Sequence, residues 1–166
     1  NDFLYGDYKI EVTVNYIKSG QEAETIVLNE NQFNDPSGLG KEYHITNITV
    51  KLIEIDETKE FYQNYGFDNW SYFKLVTVQG KMYDAFTSAV IPNDLDECSL
   101  FKGNSCTGNL VNLIEDDEEV LLKYETKWFK TKLKNIDFNS PTDESPNPNF
   151  GSQTNPVPLG ESQIVM

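Results

Sequence analysis

Between Phe73 and Tyr124 the chain reads as three β-hairpin arms in succession. The first joins Phe73-Lys-Leu to Gly80-Lys-Met-Tyr83. The second opens at Gly103-Asn-Ser-Cys-Thr-Gly108 and leads into Leu110-Val-Asn-Leu-Ile114. The third is Val120-Leu-Leu-Lys-Tyr124. Short β-branched and aromatic runs, punctuated by Gly, Asn and Ser, predict antiparallel strands joined by tight turns. Such strands bury their apolar faces by packing sheet on sheet, so the expected object is a small β-sandwich.

The flanking segments extend this pattern. Tyr8, Ile10, Val12, Val14 and Tyr16 alternate with Lys9, Glu11, Thr13 and Asn15, the period of a half-buried strand. Ser19-Gly20 ends it, and Glu24 to Leu28 is read as a return strand. Asn29 to Gly40, rich in Asn, Asp, Pro and Gly, is read as a loop. In Tyr43 to Ile55, Ile48, Val50 and Leu52 share one face, and Tyr43, Ile45, Ile53 and Ile55 the other. Either both faces are covered or a bulge near Asn47 switches the register. The preferred reading is a long central strand whose ends bury opposite faces. Asp56 to Gly66 is read as one short helix, with Asp56 as N-cap and Gly66 closing it. Pro92 to Glu97 is an acidic loop. Val120, Leu122, Tyr124 and Trp128 are placed on one face, and Lys130 to Phe138 as an edge strand protected by its lysines. From Ser140 the chain turns rich in Pro, Asn and Ser, the composition of a linker or a tail ordered only by contact. The expected division is residues 1–139 as the sandwich and 140–166 as the tail.

A chain of 166 residues is long enough for one domain with its own core. Its formal net charge is −14, all 13 positive side chains are Lys, and there is no Arg. That balance argues against a nucleic-acid partner, since phosphate binding needs a basic surface. It also removes the bidentate guanidinium clamp for phosphate or carboxylate. Abundant Asn, Ile, Lys and Tyr with scarce Ala point to an A/T-rich genome, such as that of a low-G+C Gram-positive bacterium or of some protists. No apolar run approaches the ~20 residues that cross a bilayer. The opening at Asn1 is read as that of a mature or trimmed chain.

Cys98 and Cys106 flank Leu-Phe-Lys-Gly-Asn-Ser, which is turn chemistry. The close spacing favours a disulfide over two unconnected thiols. It would contribute about 2.5 kcal/mol by the chain-entropy argument and imply an oxidising compartment. With His44 as the single His, the pair makes a poor zinc site.

The segment Lys41 to Tyr124 resembles the small immunoglobulin-like domain of Gram-positive surface lipoproteins, a domain of unknown function. It is similar in fold to a secreted mycobacterial immunoprotective antigen. The residues that carry the resemblance are Lys41-Glu-Tyr-His-Ile-Thr-Asn-Ile-Thr-Val50, Phe73-Lys-Leu, Gly80-Lys-Met-Tyr83, the Gly103-Asn-Ser turn, Thr107-Gly108 and Val120-Leu-Leu-Lys-Tyr124. The resemblance implies an immunoglobulin-like sandwich, export and often a lipid anchor. It supplies no catalytic residues. The cysteine pair and the length of Asp56 to Gly66 depart from the family's pattern. The fold expected is therefore an all-β, antiparallel immunoglobulin-like β-sandwich of about seven to nine strands with one short helix.

Candidate sites are few. His44, the sole base for Ser/His/Asp or Cys/His catalysis, sits between Tyr43 and Ile45 and is read as a partly exposed strand residue. Asp94, Asp96 and Glu97, and Glu115, Asp116, Asp117, Glu118 and Glu119, could in principle bind Ca²⁺, though neither has EF-hand spacing and both suit solvated loops. Paired carboxylates for glycoside hydrolysis cannot be singled out among so many acids. Phe61, Tyr62, Tyr65, Phe67, Trp70 and Tyr72 crowd one region, part core plug and part candidate partner-binding surface. Lys123, Lys127, Lys130, Lys132 and Lys134 with Trp128 form the one basic stripe, read as pairing with the protein's own carboxylates rather than with an anionic surface. The expected function is a non-enzymatic, surface-anchored interaction module whose partner is a protein or an envelope polymer. The alternative is a calcium-dependent, carbohydrate-binding or small-ligand-binding module.

Overall fold

The computed structural model describes residues 4–84, 89–131 and 156–166. Among the described residues, eight strands form two four-stranded antiparallel sheets. They are β1 (Tyr8–Ser19), β2 (Lys41–Ile55), β3 (Phe73–Thr77), β4 (Met82–Asp84), β5 (Ser105–Glu115), β6 (Val120–Tyr124), β7 (Lys127–Lys130) and β8 (Ser162–Val165). One sheet has the order β5-β2-β1-β8 and the other β4-β3-β6-β7. In chain order β1, β2 and β5 hold the places of strands A, B and E of an immunoglobulin sandwich, and β3, β4, β6 and β7 those of C, C′, F and G.

The core lies between the sheets. Ile10, Val12, Val14, Ile48, Val50 and Leu52 of the first sheet meet Phe73, Leu75, Leu122 and Tyr124 of the second, and all ten are buried. Two irregularities adjust the pleat. Val14 pairs with Ile48 but Tyr16 with Asn47, so Asn15 is the extra residue of a bulge in β1. Lys9 pairs with Glu54 but Ile10 with Leu52, so Ile53 is the extra residue in β2. The second bulge flips the parity of the strand, and Ile55 joins the inner core with Leu52.

Both faces of the first half of β2 are covered, rather than one face at each end. Tyr43 and Ile45 point outward and pack with Ala23 and Val27 of helix α1 (Gly20–Glu30), along with Ile91 and Val111. This helix replaces the return strand expected at Glu24 to Leu28. Ala23 and Val27 are one helical turn apart, and Gln-Glu-Ala-Glu are good helix formers. That spacing buries the pair against the sheet, and Lys18 adds an ion pair to Glu22. His44 belongs to the inward face of β2 and is fully buried, which corrects its reading as partly exposed.

A second helix, α2 (Glu60–Tyr65), starts later than expected. Asp56 does not cap it; its carboxylate instead accepts the backbone N–H and the hydroxyl of Thr58 and closes an Asx turn. Gly66 ends α2 at φ +77°, donating its N–H to the Tyr62 carbonyl at 2.8 Å. The described residues thus hold two α-helices where one was expected. Two 3₁₀ turns, Trp70–Tyr72 and Leu95–Glu97, lie in the loops.

Trp128 does not share a face with Leu122. The turn after Tyr124 restarts the alternation, so Phe129 pairs with Leu122 and points inward, and Trp128 pairs with Lys123 on the outer face. Strand β7 ends at Lys130, and most of the edge arm expected as far as Phe138 lies outside the described residues.

The place of an immunoglobulin strand D is held by the segment Pro92–Leu100, which lies along the edge of β5. Asn109 donates its backbone N–H to the Asn93 carbonyl and its side-chain amide to the Pro92 carbonyl. Leu95 enters the core above Gly108, where a Cβ would come within 2.8 Å of the Leu95 backbone. The Cys98–Cys106 disulfide fastens the far end of the segment.

The end of the chain laces the two sheets together. Val157 exchanges backbone hydrogen bonds with β7, accepting from Lys130 N–H and donating to Trp128 C=O. Gly160 N–H then donates to Val14 C=O, and β8 pairs with β1 from Ile10 to Thr13. Val157 and Val165 are both fully buried in the sandwich core. Contacts of this kind order the last part of the Pro- and Asn-rich tail; residues 140–155 lie outside the described ones.

Candidate functional site

The aromatic segment after β2 splits into two populations. Phe67 forms a two-way backbone bridge with Leu100, and its ring meets Tyr5, Tyr8 and Trp70 at centroid distances of 4.9, 4.8 and 5.6 Å. Trp70 is fully buried, and Tyr62 is buried with its hydroxyl accepting from Lys102 N–H. These three are core. Phe61 is half-buried against Tyr5, and Tyr65 leans on Phe61 at 4.9 Å with 61% of its surface exposed. Tyr72 is also exposed, its ring edge-on to Tyr124.

Phe101 is the member that sequence reasoning passed over. It is 49% exposed and packs against Tyr62 at 5.7 Å. The pattern held a signal for it. Leu100 turns inward before the Lys102-Gly103 turn, so its neighbour Phe101 must turn outward. Phe61, Tyr65 and Phe101 therefore stand on a rigid base of Tyr62, Phe67 and the disulfide-fastened segment. A Glu57–Lys102 ion pair at 2.6 Å lies beside them. Rings with fixed footing lose little entropy on contact, and a partner recovers their apolar area.

Asp94, Glu115 and Glu118 are engaged within the fold. Asp94 accepts from Asp96 N–H to open the 3₁₀ turn, and partial burial raises its pKa. Asp96 and Glu97 continue that turn. In the β5–β6 hairpin, Lys81 reaches Glu115 at 2.6 Å and Glu118 at 3.7 Å, and Tyr83 donates to Glu118. The Lys81 ammonium, 4.7 Å from the Tyr83 ring, is the cation of this cluster. Its hydrogen bond to Glu115 raises its own pKa and holds Glu115 below the usual carboxylate range. Asp116 and Asp117 form the hairpin tip, Asp117 at φ +64°. Among the described residues no three His, Cys, Asp or Glu side chains converge in a way that could hold a metal ion.

The basic stripe is shorter than expected. Lys123 lies over the Trp128 ring at 5.5 Å, and Lys127 and Lys130 follow on β7. Lys132 and Lys134 fall outside the described residues. His44 has neither ring nitrogen hydrogen-bonded, and burial alone lowers its pKa to about 4. It is neutral at pH 7, with Ser19 and Asn112 as its cross-strand neighbours.

A cleft of about 180 Å³ opens between the end of α1, the loop 31–40 and the outer face of β2 and β5. Asn34 builds it, donating its amide to the carbonyls of Val27 and Val90 and accepting from Val90 N–H. Tyr43 closes the floor, its hydroxyl donating to the Asp35 carbonyl at 2.8 Å.

The chain matches no family model, no curated protein and no solved structure. No helix among the described residues is long and apolar enough to cross a membrane.

Proposed function

We propose that the chain is a non-enzymatic recognition module of a surface-anchored protein that works outside the cytoplasm. It docks a protein or an envelope polymer through Phe61, Tyr65 and Phe101. The observation that carries this reading is the 61% exposure of Tyr65 on a base of buried aromatics. An exposed aromatic on a rigid sandwich end is the usual starting point of an interface hot spot. The disulfide supports the placement, since such bonds persist in oxidising compartments. The resemblance to immunoglobulin-like domains of Gram-positive lipoproteins supports the anchor.

The test is partner capture from cell-envelope extract by immobilised protein, compared with Tyr65→Ala and Phe101→Ala. Both variants should keep the wild-type melting temperature to within about 2 °C, because exposed side chains cost little to remove. Capture of the same bands should fall at least several-fold. Undiminished capture by both variants would remove this surface from the account.

A further inference from the structure

The cleft beside Tyr43 is chemically distinct from the aromatic end of the sandwich. Phe33, Pro36 and Leu113 line it above the Tyr43 floor. Phe33 is 83% exposed, an extreme value for a phenyl group that belongs to no core cluster of the described residues. The charged side chain that lines the cleft is the carboxylate of Asp35, and Lys41 stands two residues before Tyr43 on β2. The Tyr43 hydroxyl has its pKa raised first by burial and then by the carboxylates of Asp35 and Glu24. Helix α1 also ends here, with no basic residue in its last turn. Its C-terminus contributes about half a negative charge. Glu24 is held in place by the backbone N–H and hydroxyl of Ser37, while Asp35 is solvent-exposed at the rim.

Aromatic side chains beside a carboxylate favour a cation. Size then narrows the choice. About 180 Å³ is below the usual 300–1,000 Å³ of a drug-sized pocket, and it fits one small headgroup rather than a sugar chain. Hydrogen bonding narrows it again. The Val27, Val90 and Asp35 carbonyls already accept from Asn34 and Tyr43. A cation without N–H donors loses nothing in such a site. We propose that the cleft binds a small quaternary ammonium group against Phe33 and above the Tyr43 floor, with Asp35 supplying the countercharge at the rim.

The experiment is a titration of the ¹⁵N-labelled full chain with choline chloride at constant ionic strength. A parallel titration uses 3,3-dimethylbutan-1-ol, the uncharged molecule of the same shape. Choline should shift the amides of Asn34, Tyr43 and Leu113 saturably, and the neutral analogue should bind at least about twofold more weakly, the low end of a cation–π contribution. Phe33→Ala should weaken choline binding by a similar factor, and its exposure means the variant folds. Asp35→Asn should also weaken choline binding while leaving the neutral analogue unchanged. Equal binding of choline and its neutral analogue would overturn the proposal. So would shifts that stay linear in choline, or unchanged affinity in both variants.

Discussion

Trp70 donates its indole N–H to the carbonyl of Cys98 at 2.8 Å. The bond ties the largest buried side chain to the segment fastened by the disulfide. It also locates the difference from an antibody-type domain, where a buried Trp packs on a bridge between the sheets. Here the bridge runs from Cys106 of β5 to the segment along that strand's edge, with Cα atoms 6.6 Å apart. It stands in for the hydrogen bonds a strand D would supply.

Removing that bridge should therefore loosen the edge of β5 as well as destabilise the fold. A Cys98→Ala, Cys106→Ala variant should lose about 2.5 kcal/mol in a denaturant titration. Hydrogen exchange should show faster exchange at Leu95, Cys98 and Asn109 than in β6. A thiol assay on unfolded, unreduced wild type should find no free thiol. Two reactive thiols would refute both the bridge and the export argument drawn from it.

His44 predicts an acid-sensitive core. Its pKa in the fold is about 4, against an ordinary value near 6.5. Between those pH values the unfolded chain binds a proton that the folded chain excludes. Stability is therefore full above pH 6.5 and falls as the pH drops towards 4, with a total on the order of 3 kcal/mol from this residue. Carboxylates titrate in part of the same window, so the check is a difference. His44→Leu, studied from pH 4 to 8, should show a shallower loss than wild type. Identical slopes would mean that His44 reaches water or a partner in solution.

The strand alternation made most of the core legible, and Leu122 is an example. It is 1% exposed, and Leu122→Ala should cost about 2–5 kcal/mol by urea titration. A loss under about half a kcal/mol would place it on a different face. Trp128 was misplaced because periodicity does not carry through a hairpin turn that resets the parity. The segment Glu24 to Leu28 was misread because a buried pair such as Ala23 and Val27 satisfies a helix, while Thr-Ile-Val-Leu alone favours a strand; tertiary contact with Tyr43 and Ile45 decides. His44 was misjudged since one strand's pattern says nothing of how many faces its neighbours cover. Of the candidate surface, crowded aromatics were visible, but their division into buried Tyr62, Phe67 and Trp70 and exposed Tyr65 depended on the Phe67–Leu100 bridge, a contact between segments far apart in sequence.

The lacing of the two sheets by the chain end makes a separate claim. Val157 and Val165 fill the core from two edges, so their removal should open the side of the sandwich. Val165→Ala should destabilise by about 1–2 kcal/mol. Truncation after residue 155 should cost more than both valines together, because it also frees backbone groups of β1 and β7. Full stability after truncation would show that the lacing is dispensable.

Where a partner touches the molecule is measured directly by hydrogen exchange of the captured complex. Protection on binding should concentrate in Glu60–Tyr65 and in the backbone amides of residues 99–102, with β3 and β6 unchanged. Protection confined to the Lys123–Trp128 face or to the β8 edge, with Glu60–Tyr65 exchanging as in the free protein, would contradict it.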